Sequence, residues 1–198
     1  MVSIMTKIRP ELSNLSNGAK RGAKPPVGLP PQPGQIVCGT IDMRIDSQGR
    51  WHYQGSQINR LEMVKLFSSV LRRDDDGDYW LITPAEMCKI EVEDAPFQAV
   101  ELRRHSQGHD QDIHFRINIG DLVSLDDTHP LRVEIDEKTN EPSPYIALDN
   151  GLEAKLTRSV FYELVDLGNS ENVDGRQFFG IWSKGLFFPI GATPYSGF

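Results

Sequence analysis

Only two cysteines, Cys38 and Cys88, occur in the 198 residues of the chain. They stand far apart and in no CxxC or Cys/His spacing, so the sequence offers no zinc motif. Nothing forces a single disulfide, and two free buried thiols in a reducing cytosol are the expectation. Long apolar runs are missing as well, and none approaches a membrane span. MVSIMTKIRPEL lacks the apolar core and small-residue cleavage site of a signal peptide. These absences predict a cytoplasmic protein without a transmembrane segment. There is no GxGxxG and no Walker A loop, which excludes classical dinucleotide and P-loop binding. There is also no GxSxG elbow, and no serine in a strand-turn-helix setting that suits a triad. Positive charge is scarce beyond the first residues. The net charge is −7, while the stretch up to Gly34 carries Lys7, Arg9, Lys20, Arg21 and Lys24 against Glu11 alone. An acidic body lacks the basic footprint that nucleic acid needs. A small anion held by a few arginines stays compatible with it.

What is present is soluble globular composition, 38% hydrophobic and 25% charged, enough for a core. Residues 1–34 end in KPPVGLPPQPGQ, where proline and glycine support neither helix nor paired strand. They read as a flexible basic tail with a stiff linker. An N-terminal strand-strand-helix-strand domain is expected over 35–84, and a β-rich domain with one long helix over 85–198. IDMRID, KIEVED and QDIHFRINIG alternate as half-buried strands do. SQINRLEMVKLFSSVLRR carries a broad helical stripe, with Ser56 as N-cap. DNGLEAKLTRSVFYELVDLG carries a second stripe, opened by Asn150-Gly151 and closed by Gly168.

Two stretches read alike. RID, a turn, GRWHYQG, a helix with Arg60 and DGDYWLI parallel EID, a turn, SPYIALDNG, a helix with Arg158 and DGRQFFGIW. The order is strand-strand-helix-strand in both, which suggests a duplication. The fold class predicted is α+β, in two related halves. The surface between such halves is a natural place for a ligand cleft.

The carboxylates of EVEDAPFQAV invite a catalytic reading. Alternation puts Glu91 and Glu93 on one face of a strand, which is the pattern of a solvated face. Asp94 ends that strand beside Pro96 and is expected to tie down backbone or an arginine. No nucleophile, metal set or base partner accompanies them, so a hydrolase using Glu93 or Asp94 ranks last. No catalytic residue, metal ligand or cofactor is assigned. Arg60 and Arg158 lie near helix N-termini, where backbone N–H groups already favour anions and a guanidinium adds a fork for phosphate or carboxylate.

The runs WHYQGSQINRLEMVKLFSSVLRRDDDGDYWLITPAE, IEVEDAPFQAVEL, FRINIGD, PSPYIALDNGLEA, LTRSVFYELV and GIWSKGLFFPIG resemble the bacterial domain-of-unknown-function family 1285, over roughly residues 40–191. The resemblance implies a duplicated two-domain α+β core with a second half similar to a pleckstrin-homology fold. It also implies a nucleotide-like ligand at the interface of the domains and a signalling role. Motif positions fall on Arg60, Thr83, Pro84, Glu86, Glu93, Asp94, Pro96, Phe97, Asn118, Gly120, Asp121, Arg158, Trp182 and Ser183. The chain departs from the family pattern at Leu148-Asp149, where a Val-Arg pair is expected, and at Ile117, where Thr is usual. The ligand-binding set expected is therefore Arg60, Thr83, Glu86, Asp94, Phe97, Asn118, Asp121, Arg158 and Trp182. The arginines would meet the anion, Asn118 and Asp121 would give polar specificity, and Phe97 or Trp182 would form a stacking wall. The leading expectation is a non-enzymatic ligand-binding protein, and the alternative is a module that docks a protein partner.

Overall fold

The computed structural model describes residues 22–173 and 175–192. Its chain divides into two compact units, Met1–Asp94 and Ala95–Phe198. The first unit runs β1 (Ile36–Ile45), β2 (Trp51–Tyr53), β3 (Ser56–Gln57), α1 (Leu61–Ser69), β4 (Leu71–Arg73), β5 (Tyr79–Ile82) and β6 (Glu86–Val92). These strands form one sheet in the order β3-β2-β1-β6-β5-β4. Two antiparallel meanders are joined through a parallel β1–β6 pair. Parallel neighbours need a long crossover, and here α1 and both meanders supply it. Cys38, Ile41, Met43 and Ile45 of β1 are buried with Met87, Cys88 and Ile90 of β6. Trp51 stacks on Phe67 of α1, with ring centroids 6.0 Å apart, which seats the helix on the sheet.

The second unit repeats the sheet. β7 (Phe97–His105), β8 (Asp112–Ile117), β9 (Leu122–Ser124), β10 (Leu131–Ile135), β11 (Pro142–Ala147) and β12 (Glu153–Leu156) take the order β10-β11-β12-β7-β8-β9. Again the first and last strands, β7 and β12, pair in parallel at the centre. The chain continues through α2 (Arg158–Asp166) to a three-stranded sheet of β13 (Asn169–Val173), β14 (Arg176–Ser183) and β15 (Leu186–Ala192). Phe115, Ile113, Leu125, Ile146, Leu164 and Ile181 fill this unit's core. The fold is mixed α+β, mostly strand, with two α-helices among the described residues.

Asp-anchored turns recur in both units, at hairpins that the sheet orders do not make equivalent. Asp46 in the β1–β2 hairpin accepts the backbone N–H groups of Gln48 and Arg50, each at 3.0 Å. Asp136 in the β10–β11 hairpin accepts those of Lys138 and Thr139, each at 2.8 Å. An Asp that bonds backbone just ahead of itself mimics a turn and fixes it. Much of the acidity of the body is thus turn chemistry.

Four sequence expectations change. The first domain does not end at residue 84, because β6 is a central strand hydrogen-bonded to both β1 and β5. Thr83-Pro84 is a tight turn rather than a boundary. Residues 1–21 of the expected tail lie outside the described residues, but from Gly22 onward the segment packs on the first unit. Gly22 N–H reaches the Val37 carbonyl at 3.1 Å, the Val27 carbonyl accepts Asp75 N–H at 3.1 Å, and Pro26 is buried. Proline removes a donor but keeps its carbonyl, so such a segment still docks as an acceptor. Both helices are also shorter than their stripes. Ser56 lies in β3 and Arg60 is the N-cap of α1. Residues 153–156 form β12, because Glu-Ala-Lys-Leu also alternates and pairing with β7 and β11 takes it. Finally, the arginines do not match across the repeat. Arg60 is the residue before α1, whereas Arg158 is the first residue of α2, after the N-cap Thr157. The helices also differ in place, α1 lying between β3 and β4 within the first sheet's crossover and α2 following β12, the last strand of the second sheet.

Candidate functional site

The sequence Asp74-Asp75-Asp76-Gly77-Asp78 closes the β4–β5 hairpin, and Asp74 builds it. The residue is 7% exposed. One oxygen accepts N–H from Asp76 at 3.1 Å and from Asp78 at 2.8 Å. The other accepts the indole N–H of Trp80 at 2.9 Å. A buried carboxylate is tolerated when donors surround it in this way. Trp80 is thereby held on β5, and Lys89 on β6 reaches across to the Asp78 carboxylate.

Above this turn the returning segment Ala23–Val27 covers a cavity of about 230 Å³. Its walls are Lys24, Pro25, Gly39, Thr40, Trp80 and Lys89, with Asp74, Asp76 and Asp78 at the turn. Drug-sized ligands occupy pockets of roughly 300–1,000 Å³, so this one suits a small molecule or the head group of a larger one. The charges in it are not equivalent. Asp74 is satisfied by backbone and indole donors, and Asp78 is paired with Lys89. Lys24 makes no ion pair among the described residues, and Asp76 is exposed at the rim.

The residues expected to bind ligand are divided between the two units. In the first, Arg60 is exposed at the start of α1, and its carbonyl accepts N–H from Met63 and Val64. Thr83 accepts N–H from Ala85 and Glu86 on its hydroxyl at 3.3 and 3.0 Å. Glu86 opens β6 with its carboxylate 3.7 Å from the Cys88 sulfur. Asp94 sits half-buried in the bend after β6. In the second, Phe97 is 3% exposed and pairs with Ala154 inside the core. No ring face is left for stacking, which corrects its expected role as a wall. Asn118 exchanges hydrogen bonds with the backbone of Gln98, accepting on its side chain at 3.2 Å and donating its N–H at 2.8 Å. Asp121 is exposed, and its carbonyl accepts Ile117 N–H. Arg158 reaches Glu141 at 3.6 Å with both side chains largely exposed. Trp182 stacks on His109 at 4.1 Å and donates its indole N–H to Glu171 at 3.0 Å.

Of the acids of EVEDAPFQAV, Glu93 makes contacts that tie the first unit together. Glu93 bridges Arg44 at 2.7 Å and accepts Ser47 N–H at 2.9 Å, an exposed clasp between the end of β6 and the β1–β2 turn. Sequence reading missed the cavity. DDDGD was legible as a turn, yet nothing local shows that Lys24 folds back over it.

Electrostatics in both units follow the Asp turns. Burial alone would raise the pKa of Asp46. The N–H of Arg50, His52, the Arg50 guanidinium and the N–H of Gln48 outweigh it and hold the carboxyl well below its usual range. In the second unit burial likewise opposes ionisation of Asp126. Thr128, Lys184 and the N–H of His129 outweigh burial and lower its pKa.

Comparison with known proteins places these units. Residues 25–95 match the family model described as domain of unknown function (DUF1285), N-terminal domain. Residues 96–190 match protein of unknown function (DUF1285), C-terminal domain. The chain is similar to the crystal structure of a DUF1285 family protein from Silicibacter pomeroyi DSS-3. The two share 40% identity over 89% of this chain and 92% of that one, with a TM-score of 0.73. It is also similar to that of a DUF1285 family protein from Shewanella baltica OS155, at 32% identity over 65% of this chain and 93% of that one, with a TM-score of 0.52. No curated protein matches the chain.

Proposed function

The chain belongs to the DUF1285 family, and on that premise we propose that it is a non-enzymatic protein that binds a small polar, anionic ligand and serves sensing or signalling in the cytoplasm. The observation that carries the reading is the cavity of about 230 Å³ in the first unit. Lys24 supplies its uncommitted ammonium, and Lys89 stands opposite on β6. Thr40 and the Trp80 indole offer a hydroxyl and an apolar wall. The exposed Asp76 favours a ligand that also carries a donor, such as a hydroxyl or amine. Two free thiols, Cys38 and Cys88, fit a reducing compartment.

A thermal-shift panel of inorganic phosphate, nucleoside monophosphates and small hydroxycarboxylates tests this on the full chain. A ligand above its dissociation constant raises the melting temperature. The expected result is stabilisation of the wild type by one class, reduced in Lys24→Ala. If no member stabilises the wild type more than Lys24→Ala, the reading falls.

A second reading is docking of a partner strand along β9, an edge strand of its sheet. Leu122 there is 52% exposed, and exposed edges accept added strands. Leu122→Asp would then abolish a partner complex while leaving the thermal-shift response intact.

A further inference from the structure

Cys38 and Cys88 come from strands far apart in sequence, yet the fold sets them side by side. β1 and β6 are parallel neighbours with Val37 opposite Met87, so the next step along each strand brings Cys38 beside Cys88. The register slips by one residue between Val37 and Thr40, and Thr40 faces Lys89. Glu86 lies two residues before Cys88 and shares its face of β6. Both thiols are buried, at 1% and 4% exposure, while Glu86 is half-buried where the strand begins. The two sulfurs and a Glu86 carboxylate oxygen all lie within 4.8 Å of one another, and the Cys88 thiol points at that carboxylate at 3.7 Å.

Packed thiols alone are ordinary core. The carboxylate turned onto them sets this group apart, because it completes a convergent set of one hard and two soft donors. A tetrahedral zinc ion, with Zn–S about 2.3 Å and Zn–O about 2.0–2.2 Å, holds its donor atoms roughly 3.5–3.8 Å apart. The three donor atoms, all within 4.8 Å of one another, already lie close to that spacing. Thiolates select soft or borderline cations over magnesium and calcium.

We infer that Cys38, Cys88 and Glu86 form a three-donor site for a thiophilic divalent cation of the zinc type. This site is independent of the ligand reading of the cavity. Three protein donors leave a fourth position for water or another small donor. Uptake exchanges protons for metal: the cation joins two thiolates and one carboxylate, and two thiol protons leave to solvent. Thiols give up their protons to bind a cation, so uptake tightens as pH rises.

The experiment is anaerobic titration of the reduced full chain with Co²⁺ and Zn²⁺. One equivalent of Co²⁺ should give a thiolate-to-cobalt charge-transfer band in the near ultraviolet. Native mass spectrometry should show one zinc in place of two protons. The half-saturating concentration should fall as pH rises, because uptake releases protons. Cys88→Ser should abolish the band, and Glu86→Gln should keep it but weaken binding about tenfold or more. No band from wild-type protein at millimolar Co²⁺, with both thiols titrating as free, overturns the assignment. So does a band that survives in the Cys38→Ser, Cys88→Ser double variant. A wild type that instead forms a Cys38–Cys88 disulfide in air and takes up no cobalt when reduced also overturns it. The wild-type mass measurement decides the matter even if a cysteine variant fails to fold.

Discussion

The buried carboxylate of Asp74 receives the indole N–H of Trp80 at 2.9 Å while its other oxygen ties the β4–β5 turn. One side chain therefore joins a turn, a core tryptophan and the floor of the cavity. Asp74→Ala leaves three donors without their acceptor, one of them buried. The expected cost is about 2–4 kcal/mol, read by urea denaturation at pH 7. Asp74→Asn, which keeps one acceptor oxygen, should cost less than Asp74→Ala. Equal, negligible effects would refute the role.

Acid should loosen the protein partly through Asp46. Its folded pKa lies below the ordinary value of 3.8, so between the two the unfolded chain binds the extra proton. Its contribution is complete above about pH 4–5 and is lost as pH falls through the folded value. Asp46→Asn should destabilise by about 2–3 kcal/mol at pH 7. The gap from wild type should narrow at pH 2.5. A gap of the same size at both pH values contradicts the linkage. Asp126, lowered in the same direction, should show the same narrowing.

The Ser68 hydroxyl is buried in α1 without a hydrogen-bond partner among the described residues. Removing it loses no bond and gains helix propensity. Ser68→Ala should therefore stabilise by about 0.5–1.5 kcal/mol, visible as a higher denaturation midpoint with an unchanged slope. A destabilised variant would mean the hydroxyl has a partner after all.

Gly180 sits at the register shift between β14 and β15. A Cβ there would lie 2.3 Å from the Phe188 carbonyl oxygen and 2.9 Å from the Pro189 Cα, and backbone cannot step aside as a flexible side chain can. Gly180→Ala should cost about 1–3 kcal/mol. At Gly191 a Cβ meets nothing within 4 Å among the described residues, so Gly191→Ala is the matched control and should change stability little. Calorimetry of the pair separates local clash from any general intolerance of β-strand glycines.

Arg60→Ala and Arg158→Ala should each stay within about 0.5 kcal/mol of the wild type. Arg158 spans 3.6 Å to an exposed Glu141, and Arg60 has no ion pair among the described residues. A larger loss in chemical denaturation would assign either arginine a structural role that its surroundings do not suggest.

By itself the sequence determined the α+β class, the duplication and most strands. Those depend on alternation and on Asp and Gly turn chemistry, which act over a few residues. RID and EID read alike because Asp46 and Asp136 each fold the turn ahead of them, yet the sheet orders set the β10–β11 hairpin in the place of β4–β5, not of β1–β2. Helix ends were not legible, since Leu152 and Leu156 satisfy both a helical stripe and a strand period, and only pairing with β7 and β11 breaks the tie. The tertiary structure alone decided three further points. It made Glu86–Val92 a central strand of the first unit. It folded Lys24 back over Asp74 and Trp80, so a stretch read as a tail lines a cavity. It also placed Cys38 against Cys88 and Glu86, which no spacing motif reveals. For the strand and the cysteines the reason is parallel pairing of the first and last strands of a unit, and for Lys24 it is the backbone bonds of Gly22 to Val37 and of Asp75 to Val27; all of them join residues far apart in sequence.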